Sequence, residues 1–127
     1  KASGQLTISG PDALEKAEFT SNLIWSRLEN AGTNFDETLT EYLGVSSCHG
    51  NKIKEFKSEP NEVVLRLSVR DNDKNKIIRF GKELAPVITS GPPGVTGFSG
   101  GRPRPQEIIA FWPCLINKKH IKIKVIS

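Results

Sequence analysis

Methionine is absent from this 127-residue sequence, and cysteine and histidine occur only twice each. Cys48 and Cys114 lie in no paired motif, and together with the two histidines they match no zinc-ligand spacing. We therefore expect neither a disulfide framework nor a metal site, and no cofactor motif is present. Because methionine is absent, Lys1 is not a translational start, so we expect residues 1–127 to be a single domain cut from a longer protein.

Long apolar runs are also missing. No stretch approaches the roughly 18 residues of a membrane-spanning helix, and no signal-peptide pattern follows the first residue. We therefore expect no membrane partner and an intracellular location, cytoplasmic with a mitochondrial one as the alternative, in keeping with the sparse cysteines. The hydrophobic fraction of 36% and the charged fraction of 25% are those of an ordinary globular domain.

Hydrophobic periodicity predicts the order β-α-β-β-α-β followed by one C-terminal strand. Apolar residues at every second position indicate strands at residues 5–9, 35–45, 62–70, 107–112 and 120–126. Two right-handed βαβ crossovers in this order give an α+β, ferredoxin-like split βαβ sandwich, a mostly antiparallel sheet with both helices on one face. The two strands expected at the centre of the sheet, 5–9 and 62–70, contain no aromatic residue for stacking on RNA bases, so nucleic acid is not an expected partner.

The two helices are marked by residues typical of helix ends. Gly10-Pro11 is expected to begin the first helix and Gly32 to end it. An aspartate, Asp71 or Asp73, is expected to cap the second helix, and Pro86 to end it. Both tryptophans of the chain fall on apolar stripes and are expected in the core: Trp25 and Trp112.

The most unusual segment runs from residue 90 to 105 and holds five glycines, four prolines and two arginines. Glycine lets a ligand approach backbone N–H groups closely, and proline keeps the loop shaped. Each arginine precedes a proline, which favours an extended backbone, and its forked donors suit phosphate or carboxylate. We predict an anion-binding loop; the alternative is a long crossover whose arginines are only solvated. The predicted ligand-binding residues are Gly91, Gly94, Gly97, Gly100, Gly101, Arg102 and Arg104.

In the predicted topology this loop meets two other features at one end of the sheet. They are the loop of residues 46–61 and the start of the first helix, whose free N–H groups and partial positive charge favour anions. We therefore add Ser9, Gly10 and Ser46 to the predicted ligand-binding residues.

His49 is the candidate catalytic residue. It follows the second predicted strand in the segment S-S-C-H-G and is expected to face the glycine-rich loop, where it would orient the ligand or shuttle a proton. Its neighbour Cys48 is not expected to act as a nucleophile, because a working Cys–His pair is assembled from distant segments and needs a third, orienting group. The alternative is a turn histidine bonded to nearby backbone. Whether the chain is an enzyme stays open.

Four segments carry a family resemblance: E-Y-L-G-V-S-S-C-H-G at residues 41–50, V-V-L-R-L-S-V-R at 63–70, G-P-P-G-V-T-G-F-S-G-G-R-P-R-P at 91–105 and W-P-C-L at 112–115. In this order they resemble the C-terminal part of the acyclic terpene utilisation (AtuA-like) family. By motif match, the recognisable positions are Gly44, Ser46, His49, Gly50, Gly91, Gly94 and the region of Arg102.

The resemblance implies a role near CoA thioesters. Members of the family occur beside genes for acyl-CoA carboxylases and other steps of acyclic terpene breakdown, but the resemblance assigns no reaction and no catalytic residue. The implied partners are a CoA thioester or another anionic small molecule and the preceding N-terminal region of the same protein. A second copy in a homo-oligomer is expected on separate grounds, because the C-terminal strand would pair in trans at an uncovered sheet edge. The alternative function is a non-catalytic docking or oligomerisation domain of a larger enzyme.

Overall fold

The computed structural model describes residues 1–45, 47–48, 58–97 and 100–124. These ranges contain four strands, two α-helices and one turn of 3₁₀-helix. The elements are β1 (Ala2–Ser9), α1 (Ala13–Asn30), β2 (Glu37–Leu43), β3 (Glu62–Arg70), α2 (Lys74–Ser90), β4 (Val95–Thr96) and the 3₁₀ turn Lys118–His120.

The four strands form one antiparallel sheet in the order β2-β3-β1-β4. Alternate residues of β1 and β3 point to the helices and are buried, as their period-two sequence patterns require. With α1 and α2 packed on that one face, the predicted α+β class is confirmed, and the strand order is consistent with a ferredoxin-like split βαβ fold.

The core between helices and sheet is centred on Phe80 of α2, which is fully buried. Trp25 of α1 stacks on Phe80 with ring centroids 6.1 Å apart, and Phe35 meets it edge-on at 6.3 Å. Trp25 is half-buried and donates its indole N–H to Thr40 Oγ1 of β2 at 2.9 Å. These contacts tie both helices to β2, the outer strand of the sheet.

A buried carboxylate joins the two helices. Glu83 of α2, which is 3% exposed, accepts from Arg27 Nε of α1 at 2.8 Å and pairs with Arg79 of its own helix at 2.6 Å. Two partners offset the cost of removing this charge from water. The triad therefore fixes how α1 lies against α2.

Both helices differ at one end from the sequence prediction. The first begins at Ala13 rather than at Gly10-Pro11, with Asp12 as its N-cap in the left-handed conformation. The second begins as predicted after Asp73, whose carboxylate accepts from the N–H of Asn75, but it continues through Pro86 to Ser90. Proline removes one helical hydrogen bond, and the carbonyl that loses its donor belongs to an exposed residue, Lys82, where water can replace it.

The prediction of strands at residues 107–112 and 120–126 is wrong for the residues that the structure describes. The described residues 107–124 contain no strand, and the fourth strand is instead Val95–Thr96, inside the glycine-rich run, paired with Thr7 and Ile8. Trp112 was predicted in the core, but its side chain is 87% exposed. In the predicted topology the fourth strand pairs with β1, and Val95–Thr96 and Gln106 take positions on that edge instead.

Candidate functional site

Three of the predicted ligand-binding residues lie together where β1 ends. The N–H of Ser9 donates to the carbonyl of Gly94 at 3.0 Å, and the N–H of Gly10 donates to the carbonyl of Asn61 at 2.6 Å. Gly94 has a φ of +91°, and a β-carbon there would stand 2.7 Å from Ser9 Oγ. Glycine is therefore needed at residue 94 for both its conformation and its close approach to β1.

Three backbone N–H groups at this strand end are bonded within the fold. Besides the N–H groups of Ser9 and Gly10, the N–H of Gly91 donates to the carbonyl of Val87 at 2.9 Å. The first turn of α1 also carries the exposed carboxylates of Asp12 and Glu15. Two negative charges offset the attraction that the helix N-terminus would exert on an anion.

Four other members of the predicted site lie at the other half of β1: Gly100, Gly101, Arg102 and Arg104. A β-carbon at Gly4 would stand 2.8 Å from Pro103 Cγ, and one at Gly81 of α2 would overlap the carbonyl oxygen of Pro103. Gln106 then pairs with the first residue of the chain: its N–H donates to Lys1 O at 2.8 Å, and the Lys1 amino group donates to Gln106 O at 2.9 Å. Residues 100–106 therefore run along β1 beyond the short β4.

This segment and β1 enclose a groove of about 650 Å³, which we call the edge groove. Its polar lining residues come from β1 and from residues 100–106: Ser3, Gln5, Arg102, Arg104 and Gln106. The turn that leads into it uses Gly100 and Gly101 with φ of +87° and +72°, values that side chains disfavour. The groove combines hydroxyl, amide and guanidinium groups, which are the donors that carboxylates and phosphates accept from.

Arg102 and Arg104 differ from the other arginines in their pairing. Each of the other four forms a salt bridge with a carboxylate: Arg27, Arg66, Arg70 and Arg79. Neither Arg102 nor Arg104 has such a partner within the described ranges, and both are exposed. Their donors are therefore left to water or to a ligand.

The structure separates the predicted ligand-binding residues into two groups. Gly4, at the edge groove, and Ser9, at the strand end, are five residues apart on β1, or roughly 17 Å at the usual rise of a strand. Gly97 lies between the groups with no atom within 4 Å of its β-carbon position. Ser46 and His49 lie outside the described residues, so their predicted roles stay predictions.

The comparisons with known proteins give one match. The family model described as acyclic terpene utilisation family protein AtuA matches residues 1–127. The chain belongs to the AtuA family. This confirms the resemblance seen in the sequence motifs. Neither the curated proteins nor the solved structures include a match to the chain.

Two further salt bridges of this AtuA-family chain lie on the open face of its sheet. Arg66 donates to Glu41 at 2.6 Å, and this hydrogen bond holds the pKa of the Glu41 carboxyl below its usual value. Arg70 likewise pairs with Glu37. A carboxylate whose pKa is lowered by arginine is a poor proton donor near neutral pH, and this applies to Glu41.

Sequence reasoning missed the β1 side of the edge groove, although a signal for it was present. Gly4 interrupts a strand and Gly81 interrupts a helix, and an isolated glycine inside an element often marks a close approach of another backbone. In this AtuA-family chain both glycines are covered by the same residue, Pro103.

Two further properties bear on function. No helix in the described part of the chain has the length and apolar character to cross a membrane. Across the same residues, no group of three or more histidine, cysteine, aspartate or glutamate side chains is arranged to hold a metal ion. The thiols of Cys48 and Cys114 are both free and exposed.

Proposed function

We propose that this domain serves acyclic terpene utilisation by binding an anionic ligand in the edge groove, with Arg102 and Arg104 as its charged partners. The observation that carries the proposal is the pair of guanidinium groups without a carboxylate partner among the described residues, beside a polar groove of about 650 Å³. Guanidinium forks bind carboxylate and phosphate in bidentate geometry.

The proposal places the ligand at the edge groove and not at the start of α1. The N–H groups of Ser9 and Gly10 are bonded to backbone carbonyls, and the carboxylates of Asp12 and Glu15 stand beside them. At the edge groove, by contrast, the described lining residues include no carboxylate; Gln5 and Ser3, whose hydroxyl accepts from Ser68 at 2.9 Å, stand beside the two arginines. The strand end thus has two carboxylates against one cation, Lys16, whereas the edge groove has two arginines that are unpaired within the described ranges, so charge favours an anion at the edge groove.

A CoA thioester is the ligand class that we propose. Its phosphate groups match the guanidinium donors, and membership of the AtuA family places the chain in acyclic terpene utilisation. A free terpenoid carboxylate is a smaller ligand that the same two guanidinium groups would bind. His49, as the proposed orienting or proton-shuttling residue, lies outside the described residues and does not enter this argument.

Isothermal titration calorimetry of the chain with coenzyme A, an acyl-CoA and inorganic phosphate tests the proposal. A hydrogen bond to a charged group contributes about 1.5–3 kcal/mol, so each of Arg102→Ala and Arg104→Ala should weaken binding roughly 10- to 100-fold. Binding should also weaken as salt is raised, because the exposed charges are screened.

The matched control is the double variant Lys74→Ala and Lys82→Ala. It removes the same net charge from two exposed side chains of α2 that do not line the edge groove. Equal weakening in this variant and in the arginine double variant would mean that only net charge matters. No binding of any of the three compounds by the unaltered chain would refute the proposal.

A docking or oligomerisation role is the second candidate, and a different observation favours it. Beyond Gln106 the chain exposes large apolar side chains that contribute nothing to the core, among them Phe111 at 98% and Trp112 at 87% exposure. Exposed apolar surface of this kind marks an interaction site more often than a solvated one.

A further inference from the structure

The exposed apolar residues are concentrated in one segment, residues 107–124, which we call the C-terminal arm. Its apolar part carries Phe111, Trp112 and Leu115, each at least 87% exposed. Its basic part follows directly, with lysines at 118, 119, 122 and 124. A binding partner for the arm must therefore offer an apolar surface beside negative charge.

The body of the same chain has a groove with these properties. It lies between α1 and the end of α2, encloses about 510 Å³, and is called here the helix groove. Its apolar lining comes from Phe19, which is 58% exposed, together with Leu23 and Pro92. The carboxylates of Asp12 and Glu15 stand at its rim.

Two further features make the helix groove favourable for cations. The helix α2 ends at Ser90, so its last carbonyl groups and the negative end of its dipole face this groove. The one basic residue of the lining, Lys16, is held by its hydrogen bond to the carbonyl of Ser9 at 2.6 Å. The rim therefore presents two carboxylates and the C-terminal end of α2. Against them stand Lys16, which is already engaged, and the N-terminal end of α1, whose partial positive charge of about one half is smaller than the charge of the two carboxylates.

We propose that the C-terminal arm of one copy docks in the helix groove of a second copy. Trp112 and Leu115 cover the apolar lining, and Lys118 and Lys119 meet the carboxylates of Asp12 and Glu15. This inference rests on the docking role given above as the second candidate function, and it is independent of the edge groove. Reciprocal exchange of arms closes a two-fold dimer, because each copy supplies one arm and one groove.

The area available is sufficient for a stable dimer. An aromatic side chain buries about 150–250 Å² when it is covered, so Phe111 and Trp112 of two exchanged arms contribute roughly 600–1,000 Å². The aliphatic residues of the arms and the facing groove surfaces add to this. Stable interfaces bury about 1,200–2,000 Å² in total, which two reciprocal contacts reach and a single docked arm does not.

Sedimentation velocity over a concentration series tests whether the chain dimerises through its arm. We expect a dimer for the unaltered chain and a dimer dissociation constant raised roughly 30-fold or more by Trp112→Ser with Leu115→Ser. These side chains are exposed, so the thermal midpoint of the monomer should not change. The matched control is Leu39→Ser with Ile78→Ser, which removes two exposed apolar residues outside the arm and the helix groove and should leave the dimer intact.

A charge exchange identifies the groove and shows that docking occurs between copies. One variant reverses the arm, Lys118→Glu with Lys119→Glu; the other changes the groove, Asp12→Asn with Glu15→Lys. Asparagine is chosen at residue 12 because Asp12 has a φ of +56°, which asparagine tolerates. Each variant alone should be monomeric, whereas an equimolar mixture should form a heterodimer with matched charges in both contacts.

The contrary outcomes are distinct from one another. A monomer at all concentrations overturns this inference and the oligomerisation role; if Trp112 fluorescence is then blue-shifted, the arm lies on its own body. A dimer that tolerates both charge changes leaves the docking role standing and refutes the helix groove as its site. A mixture of the two variants that stays monomeric likewise refutes the proposed pairing.

Discussion

The carbonyl oxygen of Pro103 occupies the space above Gly81 of α2 in which a β-carbon would stand. Replacing glycine by alanine inside a helix usually stabilises a protein, by about 1 kcal/mol. Here the added methyl group must displace residues 102–104, and overpacking of this kind costs about 1–3 kcal/mol. We expect Gly81→Ala to lower the free energy of unfolding, measured by urea denaturation, and to weaken binding at the edge groove.

Gly97→Ala is the control for this prediction. Gly97 has no atom within 4 Å of its β-carbon position and no positive φ, so its replacement should change the free energy of unfolding by less than about 0.5 kcal/mol. A gain in stability for Gly81→Ala, as helix propensity alone predicts, would show that Pro103 does not lie over α2.

The two tryptophans should respond in opposite ways to replacement by alanine. Trp25 stacks on Phe80 and donates to Thr40, so Trp25→Ala should cost about 2–3 kcal/mol, somewhat less than for a fully buried aromatic residue. Trp112 is 87% exposed, and Trp112→Ala should change stability by less than about 0.5 kcal/mol. Urea denaturation in dilute solution, where any dimer has dissociated, measures both.

Fluorescence quenching gives an independent test of the same contrast. Iodide should quench Trp112 in the folded chain far more than Trp25, as read from the Trp25→Phe and Trp112→Phe variants. Similar costs for the two alanine variants, or protection of Trp112 in the dilute monomer, would mean that Trp112 belongs to the core after all.

Acid should destabilise the fold through two paired carboxylates. The hydrogen bond from Lys76 Nζ at 2.9 Å, together with that from the Asp73 N–H at 2.7 Å, lowers the pKa of Asp71 below its usual 3.8. The hydrogen bond from Arg66 lowers the pKa of Glu41 below its usual 4.5. Both groups therefore bind protons less readily when folded than when unfolded.

The sign of the pH dependence follows from linkage. A group with a depressed folded pKa contributes stability that is complete above its unfolded pKa and is lost as pH falls through the folded value. The contribution of Glu41 should therefore begin to fall near pH 4.5, and that of Asp71 near pH 3.8. Urea midpoints at pH 7, 5, 4 and 3 should fall less steeply for Asp71→Asn with Glu41→Gln than for the unaltered chain. Parallel curves would contradict the prediction.

The position of strand β2 could be predicted from its sequence, but the face that it turns to the core could not. Its position was predicted because β-branched and aromatic residues favour strands and because Leu39 and Leu43 share one face, but within β2 that apolar face is the open one. Leu39, which is 50% exposed, lies on the open face, whereas Tyr42 faces α1 and shares a hydrogen bond with Ser21 at 2.9 Å. Tyr42 and Thr40 face α1, where each has a hydrogen-bond partner, and Leu39, which has no polar group to pair, lies on the opposite face.

The candidate site was predicted in part. The composition of the glycine-rich segment was enough to single out Arg102 and Arg104 as candidate anion-binding side chains. Both residues line the edge groove. Their position beside Ser3 and Gln5 was not predictable, because it depends on how residues 100–106 run along β1 to pair with Lys1. The contacts that hold this segment, of Pro103 with Gly4 and Gly81 and of Gln106 with Lys1, join residues far apart in sequence.

The sequence by itself determined that β1, β3 and the two helices exist and in which order they follow, because these elements have strong periodicity; the prediction was wrong at one end of each helix. Only the tertiary structure decided which segment covers the outer edge of β1. Val95–Thr96 and Gln106 take that edge, and the more strand-like residues 107–112 remain outside. Strand pairing is a competition between segments for one set of backbone groups, and packing of Pro103 over Gly4 and Gly81 favours the segment with the weaker pattern.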